Sequence, residues 1–400
     1  MGEGVSRVVH PSQVQEEPVR NPVECSRGQY VDIDRIRRMV EDSPYDAIIV
    51  TSPENVPYYS GFYNIDLRLI PERFHFVVWP KIGEPAFVVV ERRKRNLKSE
   101  DTFITDIVGY EGEGLDTVRA LVEVLADRRA ATGSIGIEGR NFPGSYLKEL
   151  ERRLGQATFE DARTLLESVR WVKTPAEVEV LTRAARATTD AIDAAFLAAR
   201  PGDAERSISA RMHAELIRNG ADMVSAPIFG AGDRSGAWHT TANDARIEAG
   251  MMVKTDLGGL FDGYYSDIAR TAVMGKASGR QREIYRKATE IKHRIVEGIQ
   301  PGMVAADVAH LGRRAYADVG LEFKWSILGH GIGLGVHEAP QIYTWSDEPV
   351  LPGMTMMIET GYTNPPGDSV HIEDLILVTD AGAKYLTDAT RHEDLWELGI

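Results

Sequence analysis

The residues whose types and spacing invite chemistry fall in three short patches of the second half of the chain. The stretch VKTDLGGLFDGYYSDIART, residues 253–271, reads as two β-strands joined by a Gly/Asp turn, which sets Asp256 and Asp267 on neighbouring strands. Two acids in apolar strands repel each other and lose hydration unless a cation or protons neutralise them. A buried metal pair is the economical answer, although the hairpin taken alone reads equally well as two solvated acids. The second patch, SILGHGIGLGVHEAP, surrounds His330 with glycines that let the backbone pass close to a ligand. It is not a G-x-G-x-x-G phosphate loop, because the third glycine position holds Leu334 or Val336. A lone histidine in such a segment is more often structural than a ligand, and His337 could fill a turn as easily as an active site. The third patch buries Glu359 in LPGMTMMIETGY and sets Glu373 and Asp374 ahead of an apolar run in SVHIEDLILVT. Each of these acids, by itself, also reads as a surface acid at a strand edge. Together, two Asp, one His and two Glu form a hard, oxygen-rich set suited to Mn(II), Fe(II), Co(II) or Zn(II) rather than copper or an iron–sulfur cluster.

The elements that must position these side chains come in two units. From about residue 30 to 166 the chain alternates helical patterns, such as 115–131, with short apolar runs at 46–51, 74–79, 85–90 and 134–138, which predicts an α/β domain after an irregular arm over 1–29. Thr174-Pro175-Ala176-Glu177 is a helix-start signature, so a second domain is expected over 167–400. That domain repeats itself. Pro201-Gly202 and, one hundred residues on, Pro301-Gly302 each precede an amphipathic helix that ends at a glycine, Gly220 or Gly320, and then a strand-like segment with Gly and His. Two α/β halves facing each other about a pseudo-twofold axis would bring those segments together.

Composition narrows the function classes. The chain has 400 residues, 43% hydrophobic and 26% charged, as expected of a two-domain globular protein. Its net charge of −14 is spread along the chain, with no Lys/Arg block long enough to neutralise a row of phosphates, which argues against nucleic acid as a partner. No run reaches the ~18 apolar residues that span a bilayer, and the expected location is the cytosol, without a membrane partner. Met1 to Ser6 match the loose N-myristoylation pattern, a weak signal worth marginal membrane binding. Cys25 is the single cysteine, so neither an internal disulfide nor a thiolate metal cage is available.

The order D-x-G, G-Y-x-S-D-x-x-R-T, G-H-G-I-G-x-x-x-H-E-x-P, P-G-M-x-x-x-I-E and I-E-D resembles the creatinase, prolidase and aminopeptidase P family. The resemblance covers both domains and implies a pita-bread catalytic domain behind a creatinase/prolidase-type N-terminal domain. It implies that Asp256, Asp267, His330, Glu359 and Glu373 bind two divalent metal ions, Mn(II) first among them, with Asp267 and Glu373 bridging. His239 resembles the substrate-side histidine and His337 the second catalytic histidine. A homodimer is implied, in which a neighbour's N-terminal domain caps the site. Tyr58, Tyr59, Phe62, Arg68 and Arg73 are candidates for that cap, and read equally well as a core strand with surface arginines.

The ions would lower the pKa of a shared water and supply a hydroxide that attacks a C–N bonded carbon. Glu359 is assigned to proton transfer, His337 to the tetrahedral oxyanion, and His239 to the oxyanion or leaving nitrogen. An Xaa-Pro peptide is the expected substrate. The rivals are a small non-peptide C–N substrate, ectoine- or creatine-like, and a non-catalytic pita-bread binding module. Two positions depart from the family pattern. Thr360 follows Glu359 where proline is common, and His371 stands where the family commonly has an arginine that reads a carboxylate. Losing that bidentate fork makes a strict dipeptide prolidase doubtful.

Overall fold

The computed structural model describes residues 30–70, 73–112, 114–237, 239–364 and 367–400. Cys25 and the myristoylation pattern lie outside them. Six strands, β1 (Ala47–Val50), β2 (Phe76–Pro80), β3 (Ala86–Val90), β4 (Asp106–Tyr110), β5 (Ser134–Ile137) and β6 (Thr158–Asp161), form one mixed sheet in the order β4-β3-β2-β1-β5-β6. The runs AIIV, FVVWP and AFVVV are apolar on both faces because both faces are covered. Ile49, Val78 and Val88 share a core with Val118, Leu121 and Leu125 of the helix Leu115–Asp127. Ile48, Val77 and Phe87 point the other way, into a core that continues through Leu181, Ala184 and Phe196 of the catalytic domain. β4 and β6 have no counterpart among the apolar runs of the sequence. They are the two edge strands, and most of their residues stay at least partly exposed, so neither carries a period-2 or apolar signature.

Thr174 and Glu177 form the expected capping box, with Thr174 Oγ1 accepting from Glu177 N at 3.2 Å and Glu177 Oε2 accepting from Thr174 N at 2.8 Å. A cap of this kind is worth ~1 kcal/mol, and it fixes where the helix Pro175–Ala198 begins. Ser278 and Gln281 repeat the device at the head of the helix Gly279–Gly298. The halves match further. The helices Glu205–Arg218 and Ala305–Asp318 each follow a Pro-Gly turn pinned to a downstream loop, Gly202 N to Ile247 O at 2.8 Å and Gly302 N to Val350 O at 2.9 Å.

The strands of this domain are β7 (Met223–Ala231), β8 (Met252–Phe261), β9 (Tyr264–Met274), β10 (Gly329–Gly331), β11 (Glu338–Gln341), β12 (Thr355–Asn364), β13 (Asp368–Thr379), β14 (Gly382–Tyr385) and β15 (Trp396–Leu398). They build two sheets, β9-β8-β7 from the first half with the C-terminal strand β15 added beside β9, and β11-β10-β12-β13-β14 from the second. The sheets meet where Thr271 Oγ1 on β9 donates to His371 O at 3.0 Å and accepts from His371 N at 2.9 Å on β13. This is the pita-bread arrangement, and it puts the hairpins β8–β9 and β12–β13 side by side.

Candidate metal centre

The first hairpin turns through Asp262 and Gly263, at φ 52° and 87°, the left-handed pair that a tight two-residue hairpin requires. Asp267 then lies opposite Gly258, and Asp256 opposite Ala269. Since opposed residues and residues two apart share a face, both acids project from the same side of the hairpin. In the second hairpin Glu359 stands directly opposite Glu373, a like-charge pair that is unfavourable unless something neutralises it. β10 lies against β12 and pairs His330 with Met357. Gly329 makes that approach possible: at φ 145° a Cβ there would sit 2.0 Å from Met357 O.

These elements bring all five expected ligands together. His330 Nε2 lies 3.8 Å from Asp267 Oδ2 and 3.7 Å from Glu373 Oε1. Ligand atoms of Asp256, Asp267 and Glu373 lie within 4.8 Å of one another, as do those of His330, Glu359 and Glu373, and those of Asp267, His330 and His337. Burial, reinforced by the neighbouring acids, pushes the Asp267 and Glu373 carboxyls well above the usual carboxylate range. Oδ1 of Asp256 and Oδ1 of Asp267 are buried with no hydrogen-bond donor among the described residues. Crowded acids with unsatisfied oxygens, one imidazole in their midst and no thiolate fit hard divalent cations.

The imidazoles differ in their surroundings. Although the residue reaches the surface, desolvation of the ring and then His330 push His337 down to about 4, with His239 adding to the effect. Its ring meets His330 edge-on at 4.3 Å. His239 itself is exposed, at a left-handed φ of 48°, and lies outside the ligand groups. His371 faces the acids, with Nε2 3.3 Å from Glu359 Oε2. Burial works to raise Glu359, yet the neighbouring imidazoles, His371 first and then His330 and His337, outweigh it and hold the carboxyl below its usual range. The His371 ring stands edge-on to Trp325 at 5.1 Å, and Trp325 rests on Gly361, where a Cβ would lie 1.8 Å from the indole. Thr360 points the other way and donates to Ala288 O at 3.1 Å.

The expected cap is placed differently from the sequence reading. Its first part is the helix Asn55–Ser60 rather than a strand, and its aromatic face is turned into the core of its own chain. Tyr58 and Tyr59 are buried and donate to Val169 O and Leu166 O. Phe62 stacks on His75 at 5.9 Å. These three side chains are therefore core rather than a surface that meets a ligand. Arg68 is committed within its own chain, to Tyr265 Oη at 3.1 Å, Leu334 O at 2.6 Å and Glu54 Oε1 at 3.0 Å. Arg73 is exposed beside it.

Two buried ion groups support the site, and their pairings do not show in the sequence. Behind β13, Asp374 pairs with Arg270 at 2.6 Å and with Lys292, and Arg270 also donates to Glu373 O at 2.5 Å. Beside His337, Glu338 pairs with Arg170 and with Lys173 at 2.8 Å, and accepts from Gly335 N at 2.8 Å. Arg170 continues to Asn55 Oδ1 at 2.7 Å, and Asn55 to Glu138 at 2.6 Å, deep in the N-terminal domain. The partners come from distant parts of the chain, so no local spacing announces them.

The chain matches the creatinase/prolidase N-terminal domain over residues 33–172 and metallopeptidase family M24 over residues 179–380. It is 29% identical over 361 residues to an Xaa-Pro dipeptidase of Pyrococcus furiosus, covering 90% of this chain and 98% of that one. Among solved structures it is similar to an Xaa-Pro dipeptidase from Bacillus anthracis, with TM-score 0.79, 28% identity and 89% and 96% of the two chains covered. It is also similar to a prolidase from Pyrococcus horikoshii, with TM-score 0.76, 28% identity and 89% and 97% covered. With a matched span that contains all five converging donors, the chain belongs to metallopeptidase family M24 and is a metal-dependent hydrolase.

Proposed function

We infer that the protein hydrolyses the C–N bond of Xaa-Pro peptides with two divalent ions held by Asp256, Asp267, His330, Glu359 and Glu373, and that Mn(II) is the native metal. The observation that carries this is the convergence of four carboxylates and one imidazole from both halves of the repeat, with Glu359 directly opposed to Glu373. When bound, the ions supply a nucleophile at neutral pH and polarise the scissile carbonyl. The chain's own groups do the rest. His337, kept neutral, offers one N–H to the oxygen of the attacked carbonyl, where a neutral donor stabilises growing negative charge. Glu359 holds and returns the proton at the carboxyl oxygen that faces His371. His239, exposed and within electrostatic reach of His337, contacts the substrate at its leaving nitrogen.

Among the described residues no helix is long and apolar enough to cross a membrane. The reading includes a cytosolic homodimer, and light scattering and cell fractionation test those two parts. The central test is metal analysis combined with turnover of Xaa-Pro dipeptides, longer Xaa-Pro peptides and cyclic amidines on Mn(II)-loaded protein. Hydrolysis of the amidines alone would replace the peptide reading.

A further inference from the structure

A cavity of about 490 Å³ opens at the seam between the two domains, lined by Arg68, Arg73, Arg140, His75, Asn141 and Tyr265 among others. That volume lies in the range of small-ligand sites, ~300–1,000 Å³. Its charge is unusual for this chain. Three guanidinium groups line it and none of the described lining residues is an acid, although the protein as a whole carries −14. Glu54 neutralises Arg68, whereas Arg73 and Arg140 make no ion pair among the described residues. Nε of Arg68 and Nε2 of His75 are buried polar atoms without a hydrogen-bond partner among those residues.

The wall of this cavity ties it to the metal centre. Tyr265 and Asp267 stand two apart on β9, in unbroken register with β8, so they share a face and their Cα atoms are roughly 7 Å apart. Arg68 lies over the Tyr265 ring at 4.7 Å and binds Leu334 O, in the loop between His330 and His337. An extended peptide with its scissile bond at the ligand cluster advances ~3.3–3.6 Å per residue, so two to three residues cover the distance to the cavity. The one anion that every free peptide carries is its terminal carboxylate.

We propose that this cavity, through Arg73 and Arg140 with Arg68 fixed in the same wall, binds the C-terminal carboxylate of a peptide substrate longer than two residues. The proposal rests on the Xaa-Pro reading and deepens it, naming tri- and tetrapeptides as the preferred substrate class. Guanidinium groups suit this task because they hold a carboxylate through parallel hydrogen bonds.

The test is a matched pair, Ala-Pro-Ala-Ala and its C-terminal amide, on Mn(II)-loaded full-length protein and on Arg73→Gln, Arg140→Gln and the double variant. The free acid should be favoured about tenfold in kcat/KM, mostly through KM, and the double variant should bring the ratio close to one by weakening the acid. Equal turnover of acid and amide by the unaltered protein, or a preference that survives the double variant, overturns the assignment. A second arm uses citrate as an oxyanion probe in titration calorimetry on metal-free protein. Citrate heat that disappears in the double variant is expected. Citrate binding without any acid-over-amide preference means that the cavity serves a free oxyanion, which also overturns the assignment. If no Xaa-Pro peptide is hydrolysed, the functional reading fails by itself, and absence of citrate heat then overturns the cavity as an oxyanion site.

Discussion

Replacing Asp374 by Asn should be far more damaging than replacing the lysine it binds. The Asp374, Arg270 and Lys292 side chains are each 1% exposed, so all three charges have been taken out of water. Against burial, which would raise it, the two cations hold the Asp374 carboxyl well below the usual range. Asp374→Asn leaves two buried cations facing one neutral amide, and removing one partner of a buried pair costs about 3–5 kcal/mol. Stability totals of about 5–15 kcal/mol are usual, so this is a large fraction. Lys292→Met leaves the Arg270–Asp374 pair intact, relieves the cost of burying the ammonium and keeps most of the stem's packing, so it should cost under about 1 kcal/mol. Because Arg270 also donates to Glu373 O, the Asn variant should bind metal more weakly as well. Urea unfolding of metal-free protein, followed by tryptophan fluorescence, gives the ranking, and metal analysis at limiting Mn(II) gives the second effect. Equal losses in the two variants, or less than about 1 kcal/mol for Asp374→Asn, would show that the triad is not governed by uncompensated charge.

Asp267→Ala, at a presumed bridging ligand, should lower metal content from about two ions per chain to near none; full occupancy would sink the dinuclear assignment. Gly361→Ala should displace Trp325 and cost about 1–3 kcal/mol by overpacking, with a changed fluorescence spectrum; an unshifted spectrum would mean the indole does not rest there. Burial pushes the Glu177 carboxyl up to about 7, above its unfolded value of ~4.3. The stability it confers while protonated, on the order of 3 kcal/mol, is fully present below that unfolded value and is lost as pH rises through 7. Glu177→Gln should flatten the melting-temperature profile across that window, and parallel profiles would contradict the shift.

What was legible in the sequence was whatever acts over short spans or by fixed spacing. The hairpin of Asp256 and Asp267 could be read because Asp262-Gly263 suits a two-residue turn and strand alternation does the rest. The capping box at Thr174 and the Pro-Gly repeat are local in the same way. Glu359 and Glu373 were legible as misplaced acids in apolar runs, but their direct opposition appears only in the register of β12 with β13. Tyr58, Tyr59 and Phe62 misled because an aromatic-rich segment looks alike whether it faces a partner or its own core. The partners of Glu338 and Asp374 lie 82 to 168 residues away, beyond any window in which spacing carries information.

The chain of contacts from Glu138 through Asn55 and Arg170 to Glu338 bears on how this enzyme can be cut and recombined. A truncated protein beginning at Pro175 would keep every metal ligand and every strand of both catalytic sheets, yet it would leave Glu338 as a buried anion without Arg170 or Lys173, next to His337. By the same token, a chimaera that borrows a relative's N-terminal domain inherits that relative's linker charge and must match it to Glu338. The two domains are thus portable only as a pair, and the residues that enforce this, Arg170 and Lys173, lie where one domain joins the other.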